Sequence, residues 1–169
     1  MKYLFILFTA FLSSVSFAQQ ATVVNDPHAH QRTLNASFSA ITVTDGIELY
    51  LSASQEESLA VSYSDEKYAP YFKTVVENGV LKISYDNNAI NYSDNNRRRL
   101  KAYVSFKTLD KLTASGGASV KIPSAITVND LDLKFSSGAV LEGTINGKSI
   151  SVEQNSGSEI TVSGTAGKI

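Results

Sequence analysis

The chain has 169 residues, 43% of them hydrophobic, and 15 Lys and Arg against 16 Asp and Glu give a net charge of −1. So even a balance supplies no basic stripe to neutralise phosphates, which argues against nucleic acid as a partner. There is no cysteine, which excludes a disulfide framework, a Cys-based metal site, a thiol nucleophile and a lipidated cysteine behind a leader.

Lys2 precedes an almost wholly apolar run at 3–12, and small and polar residues follow, ending Ser16-Phe17-Ala18. That order predicts a signal peptide over 1–18, cleaved after Ala18. The apolar run is shorter than the roughly 20 residues that span a bilayer, so no transmembrane segment is expected after cleavage. The protein is expected to be exported, to the periplasm, the outer-membrane surface or the extracellular space. Residues 19–34 read as an extended leader. His28 and His30 share one face of it, near Asp26, but a closed metal site needs three or four ligands and the chain has only two histidines.

From residue 35 the pattern is β. Residues 38–44 carry Ile41 and Val43 on one face, and Asp45-Gly46 reads as a tight turn. Ile47, Leu49 and Leu51 line the next strand, then Leu59, Val61 and Tyr63. Asn78-Gly79 between 74–77 and 80–84 is a strong hairpin signal. Leu100, Ala102, Val104 and Phe106 alternate in a further strand. Residues 64–70 and 86–97 read as loops, the second rich in asparagine (Asn87, Asn88, Asn91, Asn95, Asn96) around Tyr92. Oxygen-rich as it is, this loop lacks the central glycine and distal glutamate of an EF-hand loop, and it reads as a solvated connection.

After Leu109 the chain repeats. Segments 112–122, 133–143 and 152–162 align on Gly117, Gly138 and Gly157, which are 21 and 19 residues apart. Leu112, Leu133 and Val152 fall in one column, Ala118, Ala139 and Ser158 in another, and Val120, Leu141 and Ile160 in a third. Equal parity points all three columns inward. The glycines, with Ser115, Gly116, Ser137 and Ser156, form the expected structural turn motif, since glycine accepts positive φ. Outward, Lys134 falls beside Glu153 and Lys121 beside Glu142, a surface ladder of opposite charges. Gln154 in an inward column and Gly143 in the place of Ile122 and Val162 interrupt the pattern. The expected fold is all-β: a right-handed single-stranded parallel β-helix (a β-solenoid) with Ser-Gly repeats over 109–169 and a hairpin-rich N-terminal part.

Arg32, the run 38–43 with Asp45-Gly46-Ile47, the run 76–83 around Asn78-Gly79, the run 109–116, and Ser137-Gly138 with Ser156-Gly157 together resemble one bacterial family. It is described as putative auto-transporter adhesin, head GIN domain, and the resemblance begins at Arg32 and covers nearly the whole chain left after removal of 1–18. It implies a β-helix of pectin-lyase-like shape, an exported protein of Gram-negative bacteria of the Bacteroides group, and an adhesive role without catalytic residues. Family members usually continue through more Ser-Gly coils, whereas here Ile169 stands 19 residues after Ile150. Self-association into a homo-oligomer through a bare C-terminal coil end is therefore expected.

Function follows from what the repeats carry. Polysaccharide-active enzymes need clustered carboxylates on one exposed face, whereas Asp132, Glu142, Glu153 and Glu159 are scattered or beside lysine. No enzyme activity and no cofactor are expected. The first reading is a cell-envelope or surface binding module, adhesin-like, for a protein or glycan ligand. Its candidate contacts are Tyr50, Tyr92, Tyr103 and the asparagine-rich loop. The alternatives are a self-assembling structural protein of the envelope and, behind it, a polysaccharide-active enzyme.

Overall fold

The computed structural model describes residues 26–87 and 98–169. In chain order the strands are β1 (His30–Arg32), β2 (Ala40–Val43), β3 (Glu48–Ala53), β4 (Ser58–Ser62), β5 (Phe72–Glu77), β6 (Val80–Tyr85), β7 (Lys101–Phe106), β8 (Lys111–Ala114), β9 (Ser119–Phe135), β10 (Val140–Gln154), β11 (Glu159–Ser163) and β12 (Ala166–Lys168). A 3-10 turn, Glu66–Tyr71, leads into β5.

The strands assemble into two walls that meet at a corner. The first wall runs β5–β6–β2–β8 and continues into the C-terminal parts of β9 and β10. The second runs β1–β4–β7–β3 and continues into the N-terminal parts of β9 and β10, then β11. Strands β9 and β10 bend through both walls. Alternate residues face one apolar interior, where Ile41, Val43, Leu49, Leu51, Leu81, Leu112, Val120 and Leu141 are fully buried. Burial of this kind stabilises by about 1.5–3 kcal/mol for each large aliphatic side chain.

The corner is a stack of four turns, closed by Ile47 N to Thr44 O (3.3 Å), Ala118 N to Ser115 O (3.2 Å), Ala139 N to Ser136 O (3.1 Å) and Ser158 N to Asn155 O (3.2 Å). Both central residues of every turn have positive φ: Asp45-Gly46, Gly116-Gly117, Ser137-Gly138 and Ser156-Gly157. One turn bonds to the next, Gly46 N to Gly116 O (2.9 Å), Gly117 N to Ser137 O (3.0 Å) and Gly138 N to Ser156 O (3.1 Å). Asp45-Gly46, read from sequence as an ordinary tight turn, is thus the first member of the glycine column. It joins β2 to β3, which do not pair with each other.

The columns of the repeat lie in register. Leu112 pairs with Leu133 and Leu133 with Val152, while Leu141 lies between Val120 and Ile160. The two interruptions have local causes. Gly143 lies between Ile122 and Val162, and a Cβ there would sit 2.4 Å from Ile122 Cβ, so only glycine fits this close approach. Gln154 donates from Nε2 to the Ser158 carbonyl, and Ser158 Oγ donates to the carbonyls of Phe135 and Asn155, each at 2.9 Å.

The fold departs from the expected parallel β-helix. Three pairings are antiparallel, β1 with β4, β4 with β7, and β5 with β6. All twelve strands form one mixed sheet, curled nearly into a closed barrel. The molecule is therefore not a purely parallel right-handed β-solenoid, and the solenoid-repeat description is corrected with it. The cause lies in the N-terminal part. The Asn78-Gly79 turn reverses the chain between β5 and β6, and the 54–57 turn sends β4 back against β7 rather than onward into a parallel rung. Strands β2 and β3 then lie between the β6/β7 pair and the β8/β9 pair, so spatial order and chain order differ.

Candidate functional site

The outer face of the second wall carries the one ordered group of aromatic and charged side chains to which sequence reading had pointed. In β3 the inward Leu49 and Leu51 leave Glu48 and Tyr50 outside. In β7 the inward Ala102 and Val104 leave Lys101 and Tyr103 outside. Parallel pairing sets Glu48 against Lys101 and Tyr50 against Tyr103, and on the other side Tyr50 against Lys121 of β9. Lys121 is followed by Glu142 and Thr161 in the next strands.

Tyr50 and Tyr103 stack with ring centroids 5.1 Å apart and planes 17° from parallel. Lys121 Nζ lies 5.6 Å from the Tyr50 centroid on the pairing side away from Tyr103, which adds a cation–π attraction. The Tyr50 hydroxyl donates to Glu48 Oε1 at 2.9 Å, and that carboxylate also accepts from Lys121 Nζ. The Tyr103 hydroxyl donates to Asp26 Oδ2 at 2.7 Å, while the His28 amide donates to Asp26 Oδ1 at 2.9 Å. Asp26 thus clasps the leader onto the wall, and β1 pairs with β4 four residues later.

The charges are set by these contacts. Partial burial pushes the Glu48 carboxyl up, but hydrogen bonds from Lys121 and Tyr50 and the charges of Lys121 and Lys101 outweigh it and leave it below the usual glutamate range. The bond from Tyr103, with those from the His28 amide and Ser62, holds Asp26 low against the cost of burial. Burial and the bond to Asp26 raise the Tyr103 phenol, and burial and Glu48 raise that of Tyr50. The bond to Glu48 raises Lys121. Asp26 and Glu48 are therefore held as carboxylates, Lys121 as its cation, and both phenols in the neutral form at neutral pH.

Of the residues singled out in the sequence, Tyr50 and Tyr103 come together, 53 positions apart. Tyr92 lies outside the described residues. Ser115, Gly116, Gly117, Ser137, Gly138, Ser156 and Gly157 lie in the stacked corner, away from the tyrosines. Lys134 reaches Glu153 at 2.7 Å, but Lys121 pairs with Glu48 rather than Glu142. His30 stacks on Tyr63 at 5.1 Å and lies 3.5 Å from Glu66. Sequence reading set Asp26 only beside the histidines and gave Glu48, Lys101 and Arg98 no part in a site. Arg98 is buried, 4.4 Å over the Tyr85 ring, and donates to Asn87 Oδ1 at 2.7 Å. Outward parity in β3 and β7 was the available signal for Glu48 and Lys101. Among the described residues no group of three or more His, Cys, Asp or Glu could hold a metal, and no helix is long and apolar enough to cross a membrane.

An all-β sheet thus carries a stripe of ordered aromatic and charged side chains along one wall. The family can be given. Residues 37–169 match the family described as "Putative auto-transporter adhesin, head GIN domain", and the chain belongs to it. Its fold is similar to crystal structures from Parabacteroides and Bacteroides species. A putative adhesin of Parabacteroides distasonis shares 18% identity and a TM-score of 0.63, covering 82% of this chain and 53% of that one. A putative adhesin of Bacteroides fragilis shares 17% identity and a TM-score of 0.62, covering 82% and 62%. A putative lipid binding protein of Parabacteroides distasonis shares 24% identity and a TM-score of 0.56, covering 75% and 54%. The chain thus spans less than two thirds of the length of each, and at these identities the likeness shows the fold alone. No curated protein matches the chain.

Proposed function

We propose that this protein is an exported, adhesin-like binding module of the bacterial cell envelope, with 1–18 serving as its signal peptide. Its contact face on this reading is the stripe Tyr103, Tyr50, Lys121 and Glu142. The observation that carries the reading is the pre-ordering of that stripe. Stacking and hydrogen bonds already fix Tyr103, Tyr50 and Lys121, so binding there loses little conformational entropy. Recognition uses ring edges and charges. Tyr103 and Lys121 already cover Tyr50, so a sugar has no free ring face to stack on there. A protein surface with matching charges fits such a stripe better than a glycan does.

The test is binding of the purified protein to envelope extracts and to a glycan array, with Tyr50→Ala/Tyr103→Ala compared against Lys134→Glu on the first wall. Loss of binding in the tyrosine variant alone supports the stripe. Equal loss in both, or none, overturns it. Protease shaving of intact cells separates a surface location from a periplasmic one. Self-assembly is the second reading, and exposed Val152 and Val162 on β10 and β11 favour it. Sedimentation that gives a strict monomer at high concentration overturns that reading.

A further inference from the structure

We propose that the Tyr50–Tyr103 pair is an oxidative coupling site, at which a one-electron oxidant such as a haem peroxidase with hydrogen peroxide joins the two rings as dityrosine. The composition directs oxidation to tyrosine: the chain has no cysteine, no tryptophan and a single methionine, Met1, so the usual sulfur sinks are missing from the folded part. The geometry then selects among the tyrosines. Tyr50 and Tyr103 are the stacked tyrosine pair among the described residues, held at 5.1 Å by the parallel register of β3 and β7. Tyr71 and Tyr85 meet edge-on at 6.2 Å and 61°, and Tyr85 is buried beneath Arg98. Tyr63 faces His30 instead. Tyr50 and Tyr103 are half-buried, so each keeps a part of its ring open to an oxidant.

The carboxylates supply the proton path. Oxidation of a phenol to a neutral radical requires loss of its hydroxyl proton, and each hydroxyl already donates to a carboxylate, Tyr50 to Glu48 and Tyr103 to Asp26. Each tyrosine gives one electron to the oxidant and one proton through its carboxylate. The two radicals form one carbon–carbon bond between ring positions ortho to the hydroxyls. The hydrogens on those carbons move to the oxygens and restore both phenols. Two electrons and two protons leave in total, and one hydrogen peroxide becomes two waters. The product ties β3 to β7 and restrains the unfolded chain as a disulfide does, in a protein that has no cysteine for the purpose.

The experiment treats the purified protein with peroxidase and limiting hydrogen peroxide, then maps peptides by mass spectrometry and follows dityrosine fluorescence. The expected product is an intramolecular link between the peptides holding Tyr50 and Tyr103, lighter by two hydrogens, in a chain that still migrates as a monomer and melts at a higher temperature. Tyr50→Phe and Tyr103→Phe each keep the ring stack and are expected to lose that peptide entirely. Asp26→Asn is expected to slow its formation. Coupling spread over other tyrosines, a mainly intermolecular product, or an unchanged product in Tyr50→Phe overturns the proposal. An Asp26→Asn rate equal to that of the parent overturns the proton path.

Discussion

Replacing Gly143 by alanine tests the close packing of the β9, β10 and β11 ladders. The new Cβ would lie 2.4 Å from Ile122 Cβ, 3.1 Å from its carbonyl oxygen and 3.2 Å from its Cα. Carbon atoms in good contact stand about 3.5–4.0 Å apart, so the strands would have to separate by more than an ångström. Overpacking usually costs about 1–3 kcal/mol. The upper end applies here, because the obstacle is backbone and Cβ rather than the tip of a flexible side chain. With an unfolding entropy of roughly 2.1 cal/mol/K per residue over the folded part, a 3 kcal/mol loss lowers Tm by about 10 °C. Urea unfolding followed by circular dichroism measures the loss directly. Gly138→Ala is the control: nothing lies within 4 Å of its Cβ, and only its φ of +73° is unfavourable, which costs about 1–2 kcal/mol. Ile122→Ala should not rescue Gly143→Ala, because alanine keeps the colliding Cβ. Stability of Gly143→Ala within about 0.5 kcal/mol of the parent, or rescue by Ile122→Ala, would refute the steric argument.

Three further outcomes are expected. Asn35 pairs both ways with the edge strand β5, Nδ2 to Val76 O and Val76 N to Oδ1, each at 3.0 Å; Asn35→Ala should cost about 1–2 kcal/mol and speed hydrogen exchange at the Val76 amide. Asp26 and Glu48 both have lowered folded pKa values, so their contribution is complete above the unfolded carboxylate values, about 4, and is lost as pH falls through the folded values. Urea midpoints should therefore drop on acidification, and Asp26→Asn/Glu48→Gln should flatten that drop. Lys134→Ala breaks an exposed, solvent-screened pair with Glu153 and should leave the urea midpoint at that of the parent in the same assay.

The parts legible in the sequence were those written in local spacing. The columns through Leu112, Leu133 and Val152 appear because one turn of chain separates their members, and the Asn78-Gly79 hairpin because the dipeptide itself carries the positive φ values. The same chemistry marked Asp45-Gly46 as a tight turn but not its role, since one turn geometry serves both a hairpin and a corner between strands that never pair. The β-helix expectation rested on the repeat of 109–169, which the hairpin-rich part before it does not share. Nothing local tells β4 to run back along β7, or places β3 beside a strand 53 residues away. For that reason outward parity marked Tyr50 and Tyr103 separately but not as neighbours, and Lys121 was assigned to Glu142 although Glu48 lies on its other side.

The position of β2 and β3 between two later strand pairs has a consequence for how the chain acquires its structure. Both neighbours of β2 (β6 and β8) and both neighbours of β3 (β7 and β9) are made after it. A nascent or translocating chain that has emerged only as far as Phe106 can pair one side of β2 and β3 and must leave the other open. Their central place is secured only when 111–121 arrives. Such late, non-local closure slows folding, typically to milliseconds or seconds, and it orders assembly from the middle of the sheet outward. Strands β9 to β11 are then added in sequence on an edge that already exists.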